Sequence, residues 1–179
     1  MPAIYIPVDV VMERVPLANR WVAEKWQPAA VVAVGPARGD LDFEPAAAHL
    51  LHETVDGAQW RFPRCVVELH TVEAEGYFLN LTAPKPCVFV MWRIVDDGVA
   101  PPARPVVVTL SYNEAARMMD GGEQVDSVAL PLALKAMMAP FVEAHYRPEP
   151  KKKVRRNDPL GDERRAREGK GEATKRSDG

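Results

Sequence analysis

A chain of 179 residues, 47% apolar and 27% charged, has the length of one domain and the composition of a globular protein with a substantial core. Its net charge of -2 conceals an asymmetry, because Pro148–Gly179 holds eleven Lys/Arg against seven Asp/Glu, leaving the tail at +4 and the body at -6. A mildly acidic body with a mixed-charge tail lacks the concentrated basic face of a nucleic-acid binder, and no apolar run approaches the ~18 residues of a membrane span.

The first segment, Met1–Val15, has no basic stretch leading into an apolar one, so it does not read as a signal peptide and a cytoplasmic location is expected. Ile4–Val15 is rich in β-branched residues and reads as a strand, with Pro2 and Pro7 suited to its start or an edge and Glu13 and Arg14 ending the run. Asn19-Arg20-Trp21 and Trp26 form a polar connection before a second strand, Ala29–Val34. Tryptophans so placed either cap a sheet end or present a protein-binding surface, where Trp and Arg are enriched. Gly35–Pro45 is a loop, and its Arg38-Gly39-Asp40 triplet carries no weight inside a cell. Ala46–His52 is ambiguous, one helical turn being compatible with it, and Gln59–Phe62 reads as a strand leading through Pro63 into the centre of the chain.

That centre, Arg64–Leu110, packs the apolar runs Cys65–Leu69, Tyr77–Leu81, Cys87–Val95 and Val106–Leu110 between short polar breaks. Read as strands, they form the middle of a sheet. Val88, Val90, Trp92 and Ile94 alternate with Phe89, Met91 and Val95, so this strand is apolar on both faces and needs cover on both. The breaks at His70–Gly76, Thr82–Pro86 and Asp96–Pro105 are too short for parallel crossovers and predict an antiparallel meander.

Beyond Leu110 the period lengthens to that of a helix. Ser111-Tyr112-Asn113-Glu114 spells a reciprocal capping box opening a helix at Tyr112–Asp120, which Gly121-Gly122 ends. Val125–Leu130 reads as a further strand, and Pro131 opens a second helix whose Leu134, Met137, Met138, Phe141, Val142 and His145 share a stripe. Pro140 predicts a kink there. The fold class is therefore mainly β with C-terminal helices: a mostly antiparallel, barrel-like or strongly curved sheet of six or seven strands covered by two helices. The domains are 1–147, folded, and 148–179, a charged tail expected to be disordered.

Chemistry-bearing residues are sparse. Cys65 and Cys87 sit inside apolar runs and read as buried thiols, with no Cys-x-x-Cys to hold zinc. Glu68, His70, Glu73 and Glu75 form an acid-histidine cluster able in principle to bind a divalent metal or assist a general base, although glutamates around a turn are ordinarily solvated. His49 and His52 have the three-residue spacing that suits metal binding on a helix, without an acidic or cysteine partner in frame. Phosphate-cradle, zinc-protease and nucleophile-elbow motifs are all missing from the sequence. The residues call for no catalytic group, metal or cofactor.

Val11-Met12-Glu13-Arg14, Ala18-Asn19-Arg20-Trp21, Trp26, Glu68-Leu69-His70, Glu73-x-Glu75-x-Tyr77, Ser111-Tyr112-Asn113-Glu114-Ala115 and Phe141-Val142-x-x-His145 occur in that order over Met12–Tyr146. In this the chain resembles a proteobacterial family of unknown function. The resemblance implies a genomic setting beside molybdenum-dependent formate dehydrogenases, and some members carry the label molybdopterin-guanine dinucleotide biosynthesis protein A. That label implies a nucleotidyltransferase with a Gly-rich nucleotide loop near its start, and Met1–Val34 contains no such loop. The expectation is thus a non-catalytic cytoplasmic accessory protein that binds a formate dehydrogenase subunit or maturation factor, with neither nucleic acid nor membrane insertion involved. Its partner-binding residues would be Glu13, Arg14, Asn19, Arg20, Trp21 and Trp26 together with Glu68, His70, Glu73 and Glu75. The alternative is a molybdopterin-handling or biosynthetic protein, which requires Arg14, Arg20, Arg61, Arg64 and Arg93 to converge on a phosphate.

Overall fold

The computed structural model describes residues 4–35 and 46–148. The Arg38-Gly39-Asp40 triplet and the tail expected to be disordered lie outside these residues, the tail from residue 149 onward. Seven strands and three helices follow one another: β1 (Ile4–Pro16), β2 (Glu24–Ala33), β3 (His49–Thr54), β4 (Gly57–Leu69), α1 (Ala74–Leu81), β5 (Cys87–Ile94), β6 (Ala103–Thr109), α2 (Tyr112–Asp120), β7 (Val125–Ala129) and α3 (Leu132–His145). A 3-10 turn, Thr71–Glu73, leads into α1. The strands form one sheet in the order β2-β1-β4-β6-β5-β7, with β3 paired to β4, and it is nearly closed because its outer strands β2 and β7 approach each other. The protein is mostly β, as the alternation predicts.

Alternation builds the core directly. Ile6, Val8, Val10 and Met12 of β1 point inward, where they meet Val67 and Leu69 of β4, Val88, Val90 and Trp92 of β5, and Leu134, Met138, Phe141 and Val142 of α3. The other face of β5 is covered as well: Phe89 packs edge-on against Tyr112 of α2, ring centroids 6.0 Å apart. Both faces of β5 are therefore buried from Val88 to Trp92, which is what its two-sided hydrophobicity requires.

Several expectations are corrected. Tyr77–Leu81 is not a strand but the last part of α1, and the preceding break at His70–Gly76 contains the 3-10 turn and the start of that helix. The connection from β4 to β5 thus runs from His70 to Pro86, long enough to carry the chain past its neighbour. As a result β4 and β6 pair in parallel, through Val67 and Val108, and the sheet is mixed although its other pairings are antiparallel. Ala46–His52 is no helical turn, since His49–Thr54 forms β3, and His49 and His52 therefore do not have helical spacing. The strands also run further than the polar residues suggest: β1 continues through Glu13 and Arg14 to Pro16, and β2 begins at Glu24 and includes Trp26.

The capping box is half formed. Ser111 Oγ accepts from the Glu114 N–H at 3.1 Å, but the Glu114 carboxylate accepts from Thr109 Oγ1 at 2.5 Å instead of reaching back to the Ser111 N–H, which donates to Thr109 Oγ1 at 3.0 Å. At its other end α2 stops as the glycines predict, with the Glu123 N–H donating to the Met118 carbonyl and the Gly122 N–H to that of Met119. Pro131 stands one place before the first residue of α3, and its carbonyl accepts from the Lys135 N–H.

Candidate functional site

Two hairpins end side by side. The β1–β2 loop is closed by the Leu17 N–H donating to the Ala23 carbonyl at 2.9 Å, and inside it Asn19 Oδ1 accepts from the Trp21 N–H at 2.9 Å. The second hairpin turns at Val55-Asp56 between β3 and β4. Register brings them together, because Arg14 of β1 pairs with both Trp26 of β2 and Ala58 of β4. Gly57 makes the approach possible: a Cβ there would lie 2.5 Å from the Arg14 carbonyl oxygen, and its φ of +141° disfavours any other residue.

Polar side chains fix this end. Glu13 accepts from the Gln27 and Gln59 amides at 2.6 and 3.2 Å, tying three adjacent strands together. Arg14 lies between Glu53 at 2.8 Å and Glu24 at 3.6 Å. Trp26 stacks at a tilt on Trp60 with centroids 5.2 Å apart, and its indole N–H donates to Glu24. Trp26 is consequently a partly buried packing residue of the strand, not an exposed one in the connection.

Trp21 is different. The residue is 81% exposed, with the Arg20 guanidinium 4.7 Å from the ring centroid. Around the same hairpin ends Leu17, Val22 and Val55 are also exposed, Val55 at 93%. A cleft of about 240 Å³ between the hairpins is lined by Arg14, Pro16, Ala23, Glu24, Thr54, Val55 and Gly57. The apolar contributors Leu17, Val22 and Val55 were not singled out by sequence reasoning; the Asp56-Gly57 pair, a strong hairpin signal, would have placed Val55 at a tip.

The remaining candidates lie elsewhere. Glu68 pairs with Tyr5 at the opposite end of β1 from Glu13, so about 25 Å of strand separates the two groups. Glu68 and His70 do meet, Oε2 to Nε2 at 2.8 Å, and Tyr77 braces the corner by accepting from the His70 N–H and donating to the Glu68 carbonyl. Burial raises the Tyr77 hydroxyl to a pKa of about 12, which keeps it a donor. Glu73 turns away from this pair and accepts from Ser111 Oγ at 2.6 Å and from Arg117 at 2.5 Å, while Glu75 is exposed. Among the described residues no group of three His, Cys, Asp or Glu is placed to hold a metal ion.

The five arginines do not converge. Arg14 serves Glu24 and Glu53, Arg61 lies 3.7 Å from Asp9, Arg93 pairs with Glu123, and Arg20 covers Trp21. Arg64 lines a separate cleft of about 300 Å³ between β4 and β6, with Phe62, Cys65, Glu68 and Val106. Burial, reinforced by the Asp9 carboxylate, pushes the Cys65 thiol up to about 11, and burial raises Cys87 too, so neither is primed as a nucleophile.

Residues 7–155 match a family described as a protein of unknown function, DUF3305. The chain belongs to that family. No curated protein and no solved structure matches it. Among the described residues no helix is long and apolar enough to cross a membrane.

Proposed function

We propose that this DUF3305 chain is a non-catalytic accessory protein that captures a protein partner with the paired hairpin ends carrying Trp21. The observation that carries the reading is a tryptophan left 81% exposed on a braced loop, with an arginine over its ring and exposed Leu17, Val22 and Val55 around it. Trp and Arg are the residue types that dominate binding energy at protein interfaces, and a hydrogen-bonded loop loses little entropy when it docks. The resemblance over Met12–Tyr146, which lies within the span matched by the family, implies as partner a subunit or maturation factor of a molybdenum-dependent formate dehydrogenase. A pterin-handling role draws less support, since a phosphate needs several cations at one place and these arginines are distributed among separate acids.

The test is capture of that enzyme's subunits by the tagged chain, compared with an Arg20→Ala/Trp21→Ala variant. Loss of a central aromatic anchor weakens binding by about 2 kcal/mol or more, roughly thirtyfold. Unchanged capture would show that this surface is not the contact. Recovery of a stoichiometric pterin or nucleotide on the isolated chain would favour the cofactor-handling alternative.

A further inference from the structure

We propose that a second copy of this chain docks against the outer side of α3, forming an antiparallel two-fold helix pair. The helix is apolar nearly all round. Leu134, Met138, Phe141 and Val142 face the core, whereas Leu132, Ala133, Ala136, Met137, Pro140 and Ala144 are exposed, Leu132 at 83%. At 3.6 residues per turn these six fall within an arc of about 140°. A helix with such a composition is ordinarily buried on both sides, and here one side is bare.

The charges on this surface indicate what covers it. Lys135 and Glu143 are exposed, Lys135 flanking the apolar arc beyond Leu132 and Glu143 standing just inside that same edge, between Leu132 and Ala136, and neither has an ion-pair partner among the described residues. Eight residues separate them, about 12 Å along the axis, so they cannot pair within one helix. They are, however, equidistant from Ala139. In an antiparallel pair whose two-fold axis passes at the level of Ala139, Lys135 of each copy stands beside Glu143 of the other, and the ion pair forms twice. A parallel pair would set like charges together instead. Near the crossing, Ala136 and Pro140 carry no long side chains and allow the helices to approach closely. A 14-residue helix spans about 21 Å, less than a standard interface of roughly 800 Å² per partner needs, so the pairing is a weak and reversible one.

Sedimentation equilibrium of the full chain tests this, with the apparent mass expected to rise toward twice the monomer's by roughly 200 μM, the range of a micromolar complex. Ala136→Arg, at an exposed position, is expected to hold the chain monomeric with its thermal midpoint unchanged. Lys135→Glu and Glu143→Lys are each expected to weaken association about tenfold, and their combination to restore it, because reversing both partners keeps both pairs. A chain monomeric throughout that range would overturn the proposal. So would a dimer indifferent to Ala136→Arg, which would place the contact elsewhere, or a double reversal that fails to recover, which would exclude the antiparallel register.

Discussion

Asn80 illustrates how one polar residue organises an apolar region. Its side chain is 1% exposed, and its carboxamide accepts from the Cys87 N–H at 3.0 Å while donating to the Cys87 and Leu110 carbonyls, both at 2.8 Å. It thereby joins α1 to the start of β5 and the end of β6 in a place where backbone pairing alone does not reach. Asn80→Leu fills the space but removes all three bonds, leaving buried backbone groups unsatisfied, and is expected to cost about 3 kcal/mol. A urea titration measures it, and a loss below about 1 kcal/mol would show that the backbone finds other partners. Cys65 makes a different residue-level prediction. Its pKa lies near 11 in the folded chain against an ordinary value near 9, so the folded state keeps a proton that the unfolded state gives up. The corresponding stability is fully present below pH 9 and is lost as pH rises toward 11. Cys65→Ala should flatten that part of the alkaline stability profile, and an unchanged slope would assign it to other groups, among them the raised Tyr77.

At the scale of elements, the contact of α1 with α2 depends on a glycine. A Cβ on Gly76 would overlap Ser111 Oγ, the same atom that caps α2 by accepting from Glu114 and donates to Glu73. On an isolated helix Gly→Ala stabilises by about 1 kcal/mol. Here the sign should reverse, with Gly76→Ala destabilising by about 2 kcal/mol as the helices are forced apart or the cap is broken. Ser111→Ala removes one of the clashing atoms, so the double variant should lose less than the two single changes added together. Additive losses would show that the two residues act separately. This contact also explains why α1 was illegible as a helix. Tyr77–Leu81 is apolar with the alternation of a strand, while the helix is only eight residues long and contains a glycine. Its helical signal is the burial of Ala74, Tyr77 and Asn80 at intervals of three, and that pattern starts inside what reads as a polar break. In β5, by contrast, every residue from Val88 to Trp92 requires cover, and the two-faced strand is readable without knowing what covers it.

At the scale of the whole molecule, the sheet was legible because periodicity is a local property, whereas the parallel β4–β6 pairing depends on a connection whose helix was not recognised. The candidate site was legible in part for the same reason. Asn19, Arg20 and Trp21 are adjacent in sequence and remain adjacent in space, but their association with Val55 arises from the register of β1 with β4, which no local pattern encodes. Register likewise divides the residues expected to form one surface: Glu13 and Arg14 lie at one end of β1, and Glu68 and His70 lie beside its other end. Sites farther apart than about 10 Å contribute to binding independently unless one partner touches both or a shared element couples them. The proposed partner surface includes only the Trp21 end, so Glu68→Gln/His70→Ala combined with Arg20→Ala/Trp21→Ala should give an affinity loss equal to the sum of the two within about 0.5 kcal/mol. A coupling well above that would mean that the partner spans the full length of β1 and that the two ends work as one surface despite their separation.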